Sequence, residues 1–476
     1  NNPNTPKITV RISTLIYILK RYLPIMFFFV ILSGSLKSEP GQLIDYTHQS
    51  TMTQDEIIFI LWFAGFDPVA DFDISVYDIH YESHSEYGTV DTLAGLVIIP
   101  HSPTEAFPIF TYQHGTVILD SQAPSITGIS ADNVEILMIS LITAPSGFIT
   151  VIPDYTGIGD PDKYHPYIIA NPHTEALVNM IRSVKQLSIE LEGDDKFQFN
   201  DQLFLAGYSD GGYATLASQR GIQIDYPDEF SVTASFPMAG PYDLSGTMVD
   251  YFLSEPEYTQ PYYVPYVLTS HLWYYQGLDV DFAEYFEPFW ADTLPSLFDG
   301  THSGSEINEL MPGNPLDILL DDVLEEFEND EDHFFRQSLE ENTLLDWVPE
   351  SPTYFYHGMG DDIVPYENAQ VAYDAFVDNG ASDVSLELFP EELGGHSDVA
   401  VTCLLAGYTV ILEYQRISPK GDMNSDGLVS LIDLALLSES ILVENNITEF
   451  QWWAGDCDYD DQHSVMDLLM VADLIE

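Results

Sequence analysis

The chain has 476 residues, 45 % hydrophobic and 13 % aromatic, which excludes a disordered polymer and leaves room for one large domain with a small one beside it. Thirteen Lys and Arg stand against 77 Asp and Glu, a formal net charge of -64. That excess excludes nucleic acid and anionic membrane surfaces as partners, because both repel such a protein. It suits a protein kept in salty water, where ions screen self-repulsion beyond about 10 Å, and it is compatible with calcium binding.

Residues 1–35 read as an export signal: Lys20 and Arg21 flank an apolar run from Tyr22 to Leu32, and Ser33-Gly34-Ser35 offers small residues for cleavage. The earlier apolar run Leu15–Leu19 keeps an uncleaved N-terminal anchor open as the alternative. Either reading places the protein outside the cell, secreted or at the cell surface. Cys403 and Cys457 are the two cysteines, too few for a disulfide framework, and a bridge between them has no support.

From residue 45 to about 417, strand and helix patterns alternate. Asp73–Tyr81 and Thr92–Ile99 read as an opening antiparallel pair, followed by strands at Pro108–Tyr112 and Gly147–Ile152. Glu175–Glu190 has helical spacing; the strand Leu203–Ala206 and the helix Tyr213–Arg220 follow. Further strands fall at Ser231–Phe236, Thr353–Tyr356 and Ser385–Phe389, with helices at Glu367–Asn379 and Val399–Arg416. Repeated βα units imply an α/β fold with a mostly parallel sheet covered by helices on both faces. Residues 244–347 interrupt the alternation with an aromatic, helical and then very acidic stretch, which reads as a cap inserted over the site. Most of its aromatics are expected in the cap's own core, and some could line an acyl or aryl pocket.

Between the strand Leu203–Ala206 and the helix Tyr213–Arg220 lies Gly207-Tyr208-Ser209-Asp210-Gly211-Gly212. Strand, G-x-S-x-G, helix is the context of a nucleophile elbow, which pushes the serine out at a helix N-terminus; the alternative is an ordinary Gly/Ser turn. A serine nucleophile needs a base and an orienting acid, in the order Ser, Asp, His for this topology. Asp361 and Asp362 follow the strand Thr353–Tyr356, and the spacing to Val364-Pro365 favours Asp361. His396, in a glycine-loosened loop after Ser385–Phe389, is the base; His357 competes, but its place at a strand end before the acid suits a structural role. Oxyanion donors are expected from the Asp210 amide and from the loop His114-Gly115-Thr116, where Gly115 lets the backbone approach and Thr116 donates. The alternative for that loop is a plain strand-end turn.

These residues resemble the α/β-hydrolase superfamily, and within it secreted lipases and carboxylesterases of the secretory-lipase kind. The resemblance rests on Gln113-His114-Gly115-Thr116, Pro153-Asp154-Tyr155-Thr156-Gly157-Ile158-Gly159, the serine motif, the long cap, His357 to Pro365, and Gly394-Gly395-His396. It implies hydrolysis of an ester or lipid substrate through an acyl-enzyme, with Ser209 attacking, His396 moving the proton, Asp361 holding its tautomer, and no cofactor for catalysis. A serine peptidase for small peptides and an inert surface protein are the competing readings.

Residues 420–476 hold an internal duplication. The first copy places Asp422, Asn424, Asp426, Leu428, Ser430 and Asp433 at loop positions 1, 3, 5, 7, 9 and 12; the second places Asp456, Asp458, Asp460, Gln462, Ser464 and Asp467 there. Oxygen donors so spaced, with a carbonyl at position 7, suit Ca2+. Apolar helices at Leu434–Leu442 and Leu468–Ile475 follow. Two copies with Asp at position 12 resemble a dockerin-type module, which implies a cohesin-like partner; a general cell-surface attachment role is equally open. The second copy departs at Asp461, in place of a turn glycine, and at His463, in place of an aliphatic residue. An acidic tail without metal is the alternative.

Overall fold

Runs of β-branched and aromatic residues form a ten-stranded sheet in the computed structural model, which describes residues 40–66, 69–84, 89–254, 257–443 and 447–475. Residues 1–35, with the expected export signal, lie outside them. The expected opening pair is present as β2 (Ile74–His84) and β3 (Val90–Pro100), antiparallel from Ile74 opposite Pro100 to His84 opposite Val90. A strand not anticipated, β1 (Leu43–Met52), and the helix Gln54–Phe63 precede them. Then come β4 (Glu105–Gln113), β5 (Ile149–Pro153), β6 (Phe199–Tyr208), β7 (Ala234–Met238), β8 (Thr353–Gly358) and β9 (Val384–Phe389). The order is β1-β2-β3-β5-β4-β6-β7-β8-β9, and β4 to β9 run parallel. A short β10 (Ser418–Pro419) pairs with the start of β4.

The central strands are buried on both faces, which is why they read as continuous apolar runs. Tyr77, Val97, Ile109 and Leu205 point toward the helix Ala170–Glu190. Their neighbours Val76, Ile98, Phe110 and Phe204 point to the opposite face, under the helices Val134–Thr143 and His396–Tyr414. This is the two-residue alternation of a pleated strand.

Residues 244–347 form the expected insertion between β7 and β8, built mainly of helices such as Tyr263–Gln276, Pro288–Leu297 and Phe334–Glu341. Tyr266, Trp273, Phe282, Phe286 and Phe335 form its core and join Tyr213 and Phe355 of the sheet domain. Most cap aromatics are therefore structural, as expected.

The C-terminal segment carries helices Leu431–Leu442, Glu449–Gly455 and Val465–Leu474. Its small core of Met423, Leu437, Phe450 and Val471 includes Ala106 from β4. Ser425 Oγ donates to the Asn200 carbonyl at 2.8 Å, and Lys420 N–H to Thr104 O at 2.9 Å. Ala106 and Asn200 begin β4 and β6, so this segment packs at the N-terminal ends of the central strands. Cys403 and Cys457 are both buried and free.

Candidate active site

The C-terminal ends of β4, β6 and β8 carry the expected site loops, where open α/β sheets bind ligands. Ser209 joins β6 to the helix Asp210–Asp225 with φ +64° and ψ -124°, a left-handed conformation that costs a non-glycine residue energy and is kept where a site needs it. A neighbouring strand and its own helix hold it: Ser209 N–H donates to Met238 O of β7 at 2.9 Å, and Tyr213 N–H of the helix to Ser209 O at 3.1 Å. The motif glycines are demanded by contact. A Cβ on Gly211 would strike the Gln113 carbonyl, and one on Gly212 the Met238 carbonyl.

Asp361 and His396 meet: Nδ1 of His396 lies 2.6 Å from Asp361 Oδ2. Both side chains are almost fully buried. His396 is the first residue of the helix His396–Tyr414, with Gly395 as N-cap. This corrects the expectation of a loop residue and a helix starting at Val399. The Asp398 carboxylate accepts the Gly395 N–H at 3.1 Å, which closes the helix start three residues early. Both candidate acids contact the histidine. Asp361 takes the ring, and Asp362 Oδ1 accepts the His396 backbone N–H at 3.0 Å. Tyr208 O–H donates to the His396 carbonyl at 2.6 Å.

His357 shares the acid with His396. Its Nε2 lies 3.2 Å from Asp361 Oδ2 and 2.9 Å from Val364 O. Asp361 Oδ1 accepts backbone N–H groups of Ile363 at 3.0 Å and Val364 at 2.8 Å. Burial would raise the Asp361 carboxyl, but hydrogen bonds from His357 and His396 hold it well below the usual carboxylate range. His396 Nε2 is buried without a hydrogen-bond partner, so Ser209 and His396 are not hydrogen bonded here; catalytic contacts of this kind are often formed only when substrate binds.

The loop after β4 abuts the serine turn: a Cβ on Gly115 would lie 3.7 Å from the Tyr208 carbonyl oxygen. The Gly115 N–H donates to Glu135 Oε1 at 3.0 Å, so Gly115 contributes close approach and not a free donor. Thr116 Oγ1 and Tyr167 O–H are 2.7 Å apart. Tyr155 O–H donates to the His114 carbonyl at 3.1 Å and its ring stacks on His114, which fixes the loop from below. Among the described residues, neither the Asp210 nor the Thr116 amide N–H donates to a protein acceptor.

Above Ser209 the cap covers an apolar pocket, part of it open to solvent. Leu244, Met248, Val249, Val264, Leu268 and Leu339 line it, with Ser209 at its polar floor.

The two C-terminal loops repeat one hydrogen-bond pattern. Asp433 Oδ1 accepts from Met423 N (2.8 Å) and Asn424 N (3.2 Å); Asp467 Oδ1 accepts from Cys457 N (2.9 Å) and Asp458 N (3.2 Å). Asp426 N–H donates to Asp422 Oδ1 at 3.2 Å and Asp460 N–H to Asp456 Oδ1 at 3.0 Å. Leu428 N–H reaches Asp426 Oδ1, and Gln462 N–H reaches Asp460 Oδ1, both at 3.0 Å. Ser430 and Ser464 cap the helices that follow. Asp456, Asp458 and Asp460 bring carboxylate oxygens within 4.8 Å of one another, a donor set that fits a hard cation. Asp433 and Asp467 each accept backbone N–H groups from both ends of their loop. Asp461 adopts φ +58° where the first copy has Gly427 at +85°. His463 bridges Ser440 Oγ at 2.8 Å and Trp452 O at 3.0 Å.

The sequence profile of the secretory lipase family matches residues 321–413, which hold Asp361 and His396. Lipase 10 of Candida albicans is 23 % identical over 261 residues, 53 % of this chain and 52 % of that protein. A secreted triacylglycerol lipase of Malassezia globosa is 33 % identical over 66 residues, 14 % of each. The chain therefore spans about half, or less, of these curated relatives. The rice cell wall degrading esterase LipA from Xanthomonas oryzae superposes with a TM-score of 0.71 at 25 % identity, over 79 % of this chain and all of that one. Candida antarctica lipase A in its closed state has the same fold, with a TM-score of 0.60 at 18 % identity over 80 % of this chain and 84 % of that one. The fold is that of α/β-hydrolase lipases and esterases.

Proposed function

We propose that the protein is an exported serine ester hydrolase of the lipase or carboxylesterase type. The observation that carries this is the 2.6 Å contact between Asp361, in the loop after β8, and His396, at the start of its helix, together with a Ser209 held at φ +64°. Ser209 Oγ attacks the ester carbonyl carbon while its proton passes to His396 Nε2. Asp361 accepts the Nδ1–H of His396, fixes that tautomer and balances the imidazolium. The Asp210 and Thr116 amides donate to the oxyanion, helped by the N-terminus of the helix Asp210–Asp225. Collapse breaks the ester bond, and the alcohol leaves with the proton from His396. Water then repeats the sequence on the acyl-enzyme, with His396 as base, and releases the acid.

The apolar cavity over Ser209 favours an ester with a sizeable acyl chain, and the likeness to lipases supports a lipid substrate. The repeated C-terminal loops favour a dockerin-like module in which Asp422, Asn424, Asp426, Asp456, Asp458 and Asp460 hold Ca2+. The exposed Leu431, Ile432, Val465 and Met466 at the two helix starts supply an apolar face for a cohesin-like or cell-surface partner. Export is supported by the secretory family profile and by the secreted Malassezia relative.

The test is turnover of p-nitrophenyl esters from acetate to palmitate by wild type and Ser209→Ala. Serine-dependent turnover that rises with chain length is expected. Turnover retained in folded S209A would overturn the assignment, and a folded wild type inert on every ester would return weight to the peptidase or the inert surface protein.

A further inference from the structure

Beneath the serine turn lies a buried polar cluster that the hydrolytic chemistry leaves unused. It joins His165 from the loop after β5, His173 from the first turn of Ala170–Glu190, and Asp210, the first residue of the helix after Ser209. All three are buried. Both ring nitrogens of His173 and both carboxylate oxygens of Asp210 are shut off from solvent and have no hydrogen-bond partner. Such idle groups are rare in folded proteins and call for a ligand, an ion or a function. Tyr155 walls the cluster: its ring stands edge-on to His173 at 4.6 Å and near-parallel to His165 at 6.0 Å.

We propose that His165, His173 and Asp210 form a site for one divalent transition-metal ion of the zinc class. One ligand atom from each residue lies within 4.8 Å of the others. His173 Nε2 and Asp210 Oδ1 are 3.7 Å apart, too far for a hydrogen bond. It is close to the roughly 3.4 Å between ligand atoms around a tetrahedral ion with bonds of about 2.1 Å. His165 Nδ1 lies 2.8 Å from the Thr156 carbonyl. A carbonyl only accepts, so Nδ1 carries the proton and Nε2 keeps its lone pair, the outer-shell arrangement that orients a metal-binding imidazole. Two imidazoles and one carboxylate select a zinc-like ion over calcium, which prefers an all-oxygen cage. A proton on Asp210 would remove its charge but leave both His173 nitrogens idle; one cation takes up His173 Nε2 and the Asp210 carboxylate together. It also neutralises a carboxylate one residue from the serine, where a bare negative charge would oppose the oxyanion. The ion is structural in this role and takes part in no bond-making step.

The test uses the full chain, stripped with a strong chelator and returned to calcium-saturated buffer so that the C-terminal loops are not competing for metal. Zinc uptake is measured by equilibrium dialysis with elemental analysis, and Co2+ uptake by visible absorption. One zinc per chain, and a cobalt spectrum of a four-coordinate nitrogen-ligated ion, are expected. His173→Gln should weaken zinc binding by about 100-fold or more and abolish the cobalt bands. A folded wild type that takes up neither ion overturns the proposal, as does H173Q binding zinc as tightly as wild type. Should H173Q fail to fold, the wild-type cobalt spectrum decides alone, and its absence overturns the site.

Discussion

Asp361 is held by more partners than orienting one imidazole requires. Two histidines share its Oδ2, two backbone N–H groups fill Oδ1, and the neighbouring Asp362 ties down the His396 backbone. A carboxylate so held cannot turn away, so the His396 ring has one orientation available. Asp361→Asn keeps the shape and inverts the hydrogen-bond sense at Nδ1, which favours the wrong tautomer. Its kcat is expected to fall by about 10³–10⁴ in a protein that still folds but melts at a lower temperature, because the buried carboxylate charge is lost. A loss below tenfold would mean that another carboxylate carries the role. At the same scale, the glycines of the serine turn are readable from the motif, whereas the double use of Asp361 is not, because His357 lies only four residues upstream and its partner is set by how the loop folds back.

The cap helix Tyr263–Gln276 shows how one element divides its faces. Val264, Val267 and Leu268, at helical spacing, point into the cavity over Ser209. Leu268→Trp should fill that space and lower kcat/KM for the palmitate ester about tenfold or more relative to acetate. An unchanged chain-length profile would show that the acyl chain lies elsewhere. On the same helix, His271 is buried with Nδ1 2.9 Å from Ser338 Oγ. Burial drives its pKa down to about 4. The folded state thus keeps His271 neutral while the unfolded chain takes a proton below about 6.5. Its contribution is complete above that pH and is lost as pH falls toward about 4. The gap in melting temperature between wild type and His271→Gln should therefore narrow from pH 7 to pH 4, and parallel curves would refute the linkage.

For the whole molecule, the parallel strands set the arrangement. The serine, acid and base loops leave their C-terminal ends, and the C-terminal segment packs where β4 and β6 begin. A segment packed there leaves the opposite end of the strands, with the cap, uncovered by it. Calcium is expected to raise the melting temperature of wild type, and Asp458→Ala with Asp460→Ala to lose most of that gain. Calorimetry that finds equal calcium stabilisation in both proteins would remove the second loop from the metal site.

Local chemistry by itself determined the serine turn, the order of Ser209, Asp361 and His396, the cap insertion and the duplicated acidic loops. In each case a few residues at fixed spacing meet a steric or ligand requirement that neighbours along the chain can satisfy. The opening strand β1 is not legible in the sequence, because its outward residues are polar and its pairing with β2 supplies what its pattern lacks. The helix start at His396, the amide of Gly115 bound to Glu135, the docking of the C-terminal segment and the cluster of His165, His173 and Asp210 were decided by tertiary structure alone. These depend on groups brought together from distant parts of the chain, and only packing chooses which buried polar atoms meet and which are left facing one another.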